Sequence, residues 1–96
     1  MGNISLLEKI ERKTKINDDS TGRYIIIYDF YKYNVSRIPQ RFYKNIHRLF
    51  TKRGDCYFIQ KSVIICESLR SAKLIEGIVS HYGGNVLIYR VCDEKI

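Results

Sequence analysis

The stretch YIIIYD, from Tyr24 to Asp29, decides the fold of this 96-residue chain. Its β-branched and aromatic residues follow one another without a polar break, which is typical of a strand that is covered on both faces. A strand with one wet face would instead alternate apolar and polar residues. We therefore predict that this stretch is a central strand of a sheet.

The elements that follow can be predicted from periodicity and from the residues that end helices. Apolar residues recur at helical spacing in two segments. Pro39 suits the first turn of the first segment, Ser68 offers an N-cap to the second, and Gly54 and Gly83-Gly84 are placed to end them. No strong turn signal separates the two strand-like runs between the helices, so their turn type stays open. The pattern predicts a helix from Ile38 to Arg53, strands from Cys56 to Gln60 and from Ser62 to Cys66, a helix from Ser68 to Tyr82 and a strand from Asn85 to Val91.

The order strand, helix, strand, strand, helix, strand consists of two split β-α-β units. With right-handed crossovers these give an α+β, ferredoxin-like βαββαβ fold, in which a four-stranded antiparallel sheet carries both helices on one face. The first and third strands are then central, and both are apolar on both sides. We expect a second copy of the chain to cover the free face as a homodimer, because closed two-fold dimers are the commonest assemblies. An N-terminal helix folded over that face is the alternative.

The first 22 residues form a separate N-terminal extension in this prediction. Met1 to Lys15 has the pattern of an amphipathic helix, in which Ser5 and Glu8 fit a capping box. A polar, turn-rich linker follows from Asn17 to Gly22. We therefore divide the chain into an N-terminal helix and linker, residues 1–22, and one ferredoxin-like domain, residues 23–96.

The composition indicates one basic domain. Hydrophobic residues make up 45% of the chain, enough for one core, and no apolar run approaches the roughly 20 residues of a membrane span. We expect a cytoplasmic protein with no membrane contact. The three cysteines form no metal-ligand pattern and are expected to be reduced thiols, mostly in the core. The net charge of +7 favours a polyanion, above all nucleic acid, as the partner.

The polar side of the first predicted core helix carries charges of one sign. No acidic residue occurs between Arg37 and Arg53. A helix face without compensating carboxylates is suited to contact phosphates, and a solvated face without a partner is the alternative. The candidate nucleic-acid-binding residues are Arg37, Arg41, Lys44, Arg48, Lys52 and Arg53.

Asp29 is the acidic residue whose position points most clearly to chemistry. It ends the central strand where the chain leaves the sheet, next to a basic segment. A carboxylate there is suited to bind Mg²⁺ and polarise a phosphodiester, especially where a dimer axis brings two copies together. A residue that caps the following loop is the alternative, and Asp55 is a weaker second candidate. Nucleotide-binding glycine loops, zinc-protease helices and serine-hydrolase elbows do not occur in the sequence.

Several short motifs occur together between Arg23 and Val91. They are the hydrophobic strand that ends in Tyr28-Asp29, the helix closed by Gly54, the run Gln60-Lys61-Ser62-Val63 and the final strand from Val86 to Val91. This combination resembles the small CRISPR-associated endonuclease family, the Cas-two proteins. The sequence departs from the family pattern at Ile64-Ile65, where phenylalanine and glutamate are usual, in lacking an arginine shortly before the glutamine, and in its N-terminal extension. These departures bear on catalysis more than on the fold.

The resemblance implies a ferredoxin-like homodimer packed through its sheets. It also implies an integrase partner in spacer acquisition and, in some members, Mg²⁺-dependent cleavage of RNA or duplex DNA. It places Asp29 at the metal-binding aspartate of the family, paired across the two-fold axis with its own copy. It places Ser62 at the serine of the family's glutamine-x-serine-valine motif. Asp29 and Ser62 are thus the candidate catalytic residues.

Three functions remain open at this point. The first is a Cas-two-like dimer that binds duplex nucleic acid and hydrolyses phosphodiesters with Mg²⁺ through Asp29. The second is a non-catalytic nucleic-acid-binding or protein-adapter domain that uses the basic helix alone. The third is a small regulatory domain whose charge is incidental, and it predicts no nucleic-acid affinity above that of a generic basic protein.

Overall fold

A computed structural model describes residues 5–14, 21–30 and 39–91 of the chain. These ranges contain α1 (Leu6–Lys13), β1 (Thr21–Asp29), α2 (Gln40–Arg53), β2 (Cys56–Gln60), β3 (Val63–Ser68), α3 (Leu69–His81) and β4 (Asn85–Val91). None of these helices is long and apolar enough to cross a membrane.

The four strands form one sheet in the order β2-β3-β1-β4. β1 pairs with β3 on one side and with β4 on the other, β3 also pairs with β2, and all three pairings are antiparallel. β1 and β3 are therefore the central strands, as predicted. This order, with α2 and α3 as the two crossovers, is compatible with a ferredoxin-like βαββαβ domain, and the predicted α+β fold class is confirmed.

The helix ends follow the capping residues that the sequence offers. Gly54 adopts a φ of 72°, in the left-handed region, and ends α2 directly after Arg53. At the start of α3, the hydroxyl of Ser68 accepts a hydrogen bond from the amide of Ser71 at 3.2 Å. Both residues were predicted in these roles from type and position alone.

Several predicted boundaries were wrong by one or more residues. β1 begins at Thr21, so the strand includes the last two residues of the predicted linker. β3 runs to Ser68 and passes into α3 without a loop, so it is longer than predicted. Pro39 is the N-cap of α2, and the helix begins at Gln40. Each difference lies at an element end, where pairing with a neighbouring strand or capping outweighs local propensity.

The two faces of the sheet differ in burial. On the side of the helices, Tyr24, Ile26 and Tyr28 of β1 are buried, and Ile26 is 0% exposed. Their neighbour Ile27 points to the other face, since strand side chains alternate, and it is 40% exposed. The helices cover one face, and no helix of the described ranges packs on the opposite one, which we call the open face.

The core between sheet and helices fixes the orientation of α2. Phe42, Ile46 and Leu49 recur at helical spacing on α2 and are fully buried. The ring of Phe42 packs against that of Tyr28 on β1, with centroids 5.2 Å apart. The opposite side of α2 therefore faces outward.

Helix α1 belongs to the helix layer. Its N-cap Ser5 accepts a hydrogen bond from the amide of Glu8 at 3.2 Å, and Leu7 and Ile10 are buried in the core. Ile10 lies so close to α3 that a Cβ at Gly77 would come within 2.6 Å of its Cγ2 atom. The helix predicted to stand apart from the domain thus packs into it, because Gly77 leaves room for Ile10. The alternative in which this helix covers the open face is wrong.

Candidate nucleic-acid interface and carboxylate site

Four cations lie in one row on the outer side of α2. Arg41, Lys44, Arg48 and Lys52 are exposed and follow one another at spacings of three and four residues, which places them on one stripe of the helix. We call them the basic row. At 1.5 Å of rise per residue the row is about 16 Å long, roughly five base pairs of duplex axis. The helix contains no acidic residue.

Most of the basic row is available to an anion. Among the described residues, Arg41, Lys44 and Arg48 form no ion pair. Lys52 differs, because its Nζ lies 2.8 Å from Oε1 of Glu11 on α1. A pair on the surface contributes about 0–1 kcal/mol, so a phosphate of higher charge density can compete for this lysine.

The other two candidate nucleic-acid-binding residues, Arg53 and Arg37, are not part of the basic row as the structure describes it. Arg53 turns toward the start of α3, where its Nε donates to Ser71 Oγ at 2.8 Å and its Nη2 to Ser68 Oγ at 3.3 Å. It does not extend the basic row, although it follows Lys52 directly. Arg37 lies outside the described residues. The nucleic-acid contacts of both arginines stay predictions.

Asp29 and Ser62, the candidate catalytic residues, lie at the same end of the sheet. Asp29 is exposed at the end of β1, and Asn85 Nδ2 of β4 lies 3.4 Å from its Oδ1. Tyr28 ties the β2–β3 turn to this end: its amide donates to the Ser62 carbonyl oxygen and its hydroxyl to the Lys61 carbonyl oxygen, each at 3.1 Å. Burial raises the pKa of Tyr28, so its hydroxyl remains a donor at neutral pH.

One chain supplies few metal ligands at this end. The described residues contain no group of three His, Cys, Asp or Glu side chains that could hold a metal ion. Mg²⁺, however, is usually held by one or two carboxylates together with water and substrate phosphates. An exposed Asp29 from each of two chains fits that requirement in number and in ligand type.

The open face of the sheet carries a continuous apolar surface. Leu87 and Tyr89 of β4 and Tyr57 of β2 are each about half exposed there. Ile65 of β3 is only 5% exposed and lies between Tyr57 of β2 and Ile25 of β1 in the sheet. We call this surface the sheet patch; it consists of Ile25, Ile27, Tyr57, Val63, Ile65, Leu87 and Tyr89.

Charged side chains lie at the two ends of the sheet patch. At one end Arg23 Nε lies 3.5 Å from Glu67 Oε1, and Asp29 lies at the other end. All three side chains are on the open face, since each is an even number of residues from a member of the patch on the same strand. The patch thus has an apolar centre and a polar rim, which is typical of a protein interface.

A hydrogen-bond network around Asp55 was not predicted from the sequence. Asp55 Oδ1 accepts from Ser71 Oγ at 2.8 Å and from Cys56 Sγ at 3.3 Å, and Oδ2 accepts from Ser68 Oγ at 2.8 Å. Burial raises the pKa of Asp55, but the hydrogen bonds from Ser71, Ser68 and Cys56 and the charge of Arg53 outweigh it, and the pKa lies below its ordinary value of 3.8. The network joins α2, β2 and α3, so this carboxylate has a structural role.

Asp55→Asn is expected to lower the free energy of unfolding by about 1–3 kcal/mol at about pH 7, because the charge-assisted hydrogen bonds of the serines weaken. The lowered pKa of Asp55 stabilises the fold above its ordinary value of 3.8, and this stabilisation is lost as the pH falls through the lowered folded-state pKa. The difference in free energy of unfolding between Asp55→Asn and wild type should therefore be smaller at about pH 3 than at about pH 7. Urea unfolding at both pH values measures it. Asp29→Asn, which removes the same charge at an exposed strand end, is the matched control. A loss of stability in Asp55→Asn that is as large at low pH as at neutral pH would contradict stabilisation by the ionised carboxylate.

A groove between α1 and α3 was also absent from the sequence predictions. It has a volume of about 880 Å³ and is lined by Ile10, Gly77 and several polar residues. Lys9, Lys13 and Lys73 contribute positive charge, and Glu76 partly offsets it through a pair with Lys73 at 3.2 Å. This second basic surface is useful as a reference for tests of the basic row.

Comparison of the chain with protein-family models, with curated proteins and with solved structures gave no match.

Proposed function

We propose that the protein is a homodimer that binds duplex nucleic acid through the basic row, as the resemblance to the Cas-two family suggests. The observation that carries this proposal is the basic row itself: exposed cations on one helix stripe, with no acid on the same helix. Cations that neutralise phosphates release counterions from the duplex, and this release drives binding without regard to sequence. We therefore expect the basic row to contact the sugar-phosphate backbone of the duplex and not the edges of the bases.

The dimer is supported by the sheet patch. An apolar surface of this kind favours a partner that removes it from water. A second copy is the economical occupant, since a two-fold axis joins the same patch to itself. The rim is suited to that arrangement, because Arg23 and Glu67 are of opposite charge and can exchange partners across the axis. Each dimer then presents two basic rows.

A second candidate function is Mg²⁺-dependent phosphodiester hydrolysis at Asp29. It is favoured by the position of Asp29 on the rim of the sheet patch, because a two-fold axis near this end of the sheet brings two copies of the carboxylate together. These two carboxylates would hold the ion, with Asn85 orienting each through its amide. Bound Mg²⁺ supplies charge neutralisation at a phosphoryl oxygen. Ser62 lies at the same end of the sheet and would form a neighbouring wall of the site.

The hydrolysis proposal is tested with labelled duplex DNA and single-stranded RNA, with Mg²⁺ or with EDTA. Asp29→Asn is expected to lower the cleavage rate by about 100-fold or more while binding is retained, since a metal ligand is lost and the basic row is intact. Glu76→Gln removes an acid from the helix layer and is the matched control. An unchanged rate in Asp29→Asn would remove Asp29 from the mechanism. Binding without any Mg²⁺-dependent cleavage by the wild type would favour the non-catalytic adapter.

A further inference from the structure

Two of the three cysteines lie directly opposite each other on neighbouring strands. Cys56 of β2 and Cys66 of β3 are register partners, and the thiol of Cys66 donates to the sulfur of Cys56 at 3.1 Å. From the sequence we expected reduced thiols, mostly in the core, and no motif indicated that these two would meet. Pairing of the strands brings them together.

The hydrogen-bond pattern of the two strands places this pair where strands approach most closely. The amide of Glu67 donates to the carbonyl oxygen of Asp55 at 3.0 Å, which marks Asp55 and Glu67 as a hydrogen-bonded pair. In an antiparallel ladder such pairs alternate with non-hydrogen-bonded ones, so the next pair, Cys56 and Cys66, is of the second kind. Cα atoms in pairs of this kind are typically about 4.5 Å apart, within the range of Cα distances that disulfides span.

The two thiols differ in their access to solvent. Cys66 is 0% exposed on the helix side of the sheet, whereas Cys56 is only half-buried. The hydrogen bond with Cys56 and then burial raise the pKa of Cys66, and Asp55 adds to this effect. The Cys66 sulfur therefore rests as a thiol, and a reagent meets the more exposed Cys56 first.

We propose that Cys56 and Cys66 are a modification site that forms a reversible intramolecular disulfide with a low-molecular-weight disulfide such as oxidised glutathione. The Cys56 thiolate attacks one sulfur of the oxidant, the oxidant's S–S bond breaks, and the released thiolate takes a proton. The Cys66 thiolate then attacks Sγ of Cys56 in the mixed disulfide and releases the second thiol. The two cysteines lose two electrons and two protons, and the oxidant becomes two thiols.

The disulfide would join an edge strand to a central strand. β2 is at the edge of the sheet and pairs only with β3 among the described strands. A covalent link between them limits the freedom of the unfolded chain and holds the ladder beside the Asp55 network. Neither sulfur lies on the open face, since Cys66 is the partner of buried Tyr24, so the link does not alter the sheet patch. This inference does not depend on the proposed function.

The test uses Cys92→Ser protein, in which only this pair remains. Reduced protein is incubated with oxidised glutathione at about pH 8, quenched under denaturing conditions with an alkylating reagent, and analysed by mass spectrometry. The expected product has lost two hydrogen atoms and takes up no alkyl group. Trypsin cleaves after Lys61, between the cysteines, so the digest should contain peptide 54–61 linked to peptide 62–70 and separated by reduction. The Tm of the oxidised protein should be higher by roughly 5–15 °C.

Cys56→Ser in the same background is the matched control and should show neither the mass change nor the Tm shift. Complete alkylation of both cysteines after the incubation would overturn the proposal. A stable glutathione adduct on Cys56 with Cys66 still alkylated would also overturn it, since the second exchange would then have failed. A link between two chains, seen as a doubled mass, would contradict the intramolecular assignment.

Discussion

Replacement of Arg41, Lys44 and Arg48 by glutamate is expected to weaken binding of a DNA duplex by about 100-fold or more at salt concentrations near 100 mM. These residues are the members of the basic row without an ion pair in the described ranges, and each replacement turns a phosphate contact into repulsion. Their side chains are exposed, so the fold should be retained. Fluorescence anisotropy of a labelled duplex measures the loss, and the loss should be similar for unrelated duplex sequences.

The control for this variant is the triple replacement of Lys9, Lys13 and Lys73 by glutamate. It changes the net charge by the same amount, but it alters the groove between α1 and α3. If the basic row is the contact surface, this control should weaken binding by far less, because only the long-range field changes. Equal losses in the two variants would show that net charge alone governs affinity and that α2 has no special part.

Leu87→Asp is expected to convert the proposed dimer into a monomer at concentrations where the wild type associates. Leu87 is on the edge strand β4, is 57% exposed in the single chain and pairs with Ile27 of the central strand β1 within the sheet patch. By two-fold symmetry each substitution places two carboxylates in the interface, and burying an unpaired charge costs several kcal/mol. The dissociation constant should therefore rise by about 100-fold or more. Sedimentation velocity measures the change in mass.

Ser80→Asp, at an exposed position of α3, is the matched control for the dimer experiment. It adds the same charge to the helix layer and should leave the association unchanged. The Tm of the monomeric Leu87→Asp protein, compared with wild type at low concentration, checks that the fold survives. A wild type that is monomeric at tens of micromolar, or a Leu87→Asp variant that associates as well as wild type, would contradict an interface at the sheet patch.

The two surfaces are coupled if both predictions hold. Dimerisation places two basic rows on one particle, and the second row then binds at the high local concentration set by the first. Leu87→Asp should therefore also weaken duplex binding, although Leu87 lies on the opposite layer from the basic row. The basic-row variant, in contrast, should remain a dimer. This asymmetry distinguishes an effect on assembly from an effect on contact.

The parts of the fold that were predictable depend on local sequence. The apolar run of β1, the glycine that ends α2 and the serine that caps α3 each act within a few residues, and all were placed correctly. The order of strands and helices along the chain, with the helices recognised by their apolar stripes, was enough to predict the sheet topology. Asp29 was singled out by its position at the end of β1 and Ser62 only through the resemblance, and the catalytic roles of both stay predictions.

The parts that were not predictable depend on contacts between distant residues. Docking of α1 requires the missing side chain at Gly77, which in sequence is only a glycine inside a helix. The inward turn of Arg53 requires Ser68 and Ser71, which become its partners only when α3 packs beside the end of α2. The pairing of Cys56 with Cys66 requires the register of β2 on β3 and a bulge near Phe58, and a one-residue slip would separate the sulfurs.

The salt dependence of duplex binding by the wild-type protein decides whether the basic row contacts the phosphate backbone. Arg41, Lys44 and Arg48 are the three cations of each basic row without an ion pair in the described ranges. Two rows should therefore give a slope of about −5 in a plot of log binding constant against log salt concentration. We expect saturable binding with that slope, and tighter binding than that of a generic basic protein of similar charge at physiological salt. Binding no tighter than that of the generic protein, or a slope near zero, would contradict it and would leave the regulatory domain with incidental charge as the function to pursue.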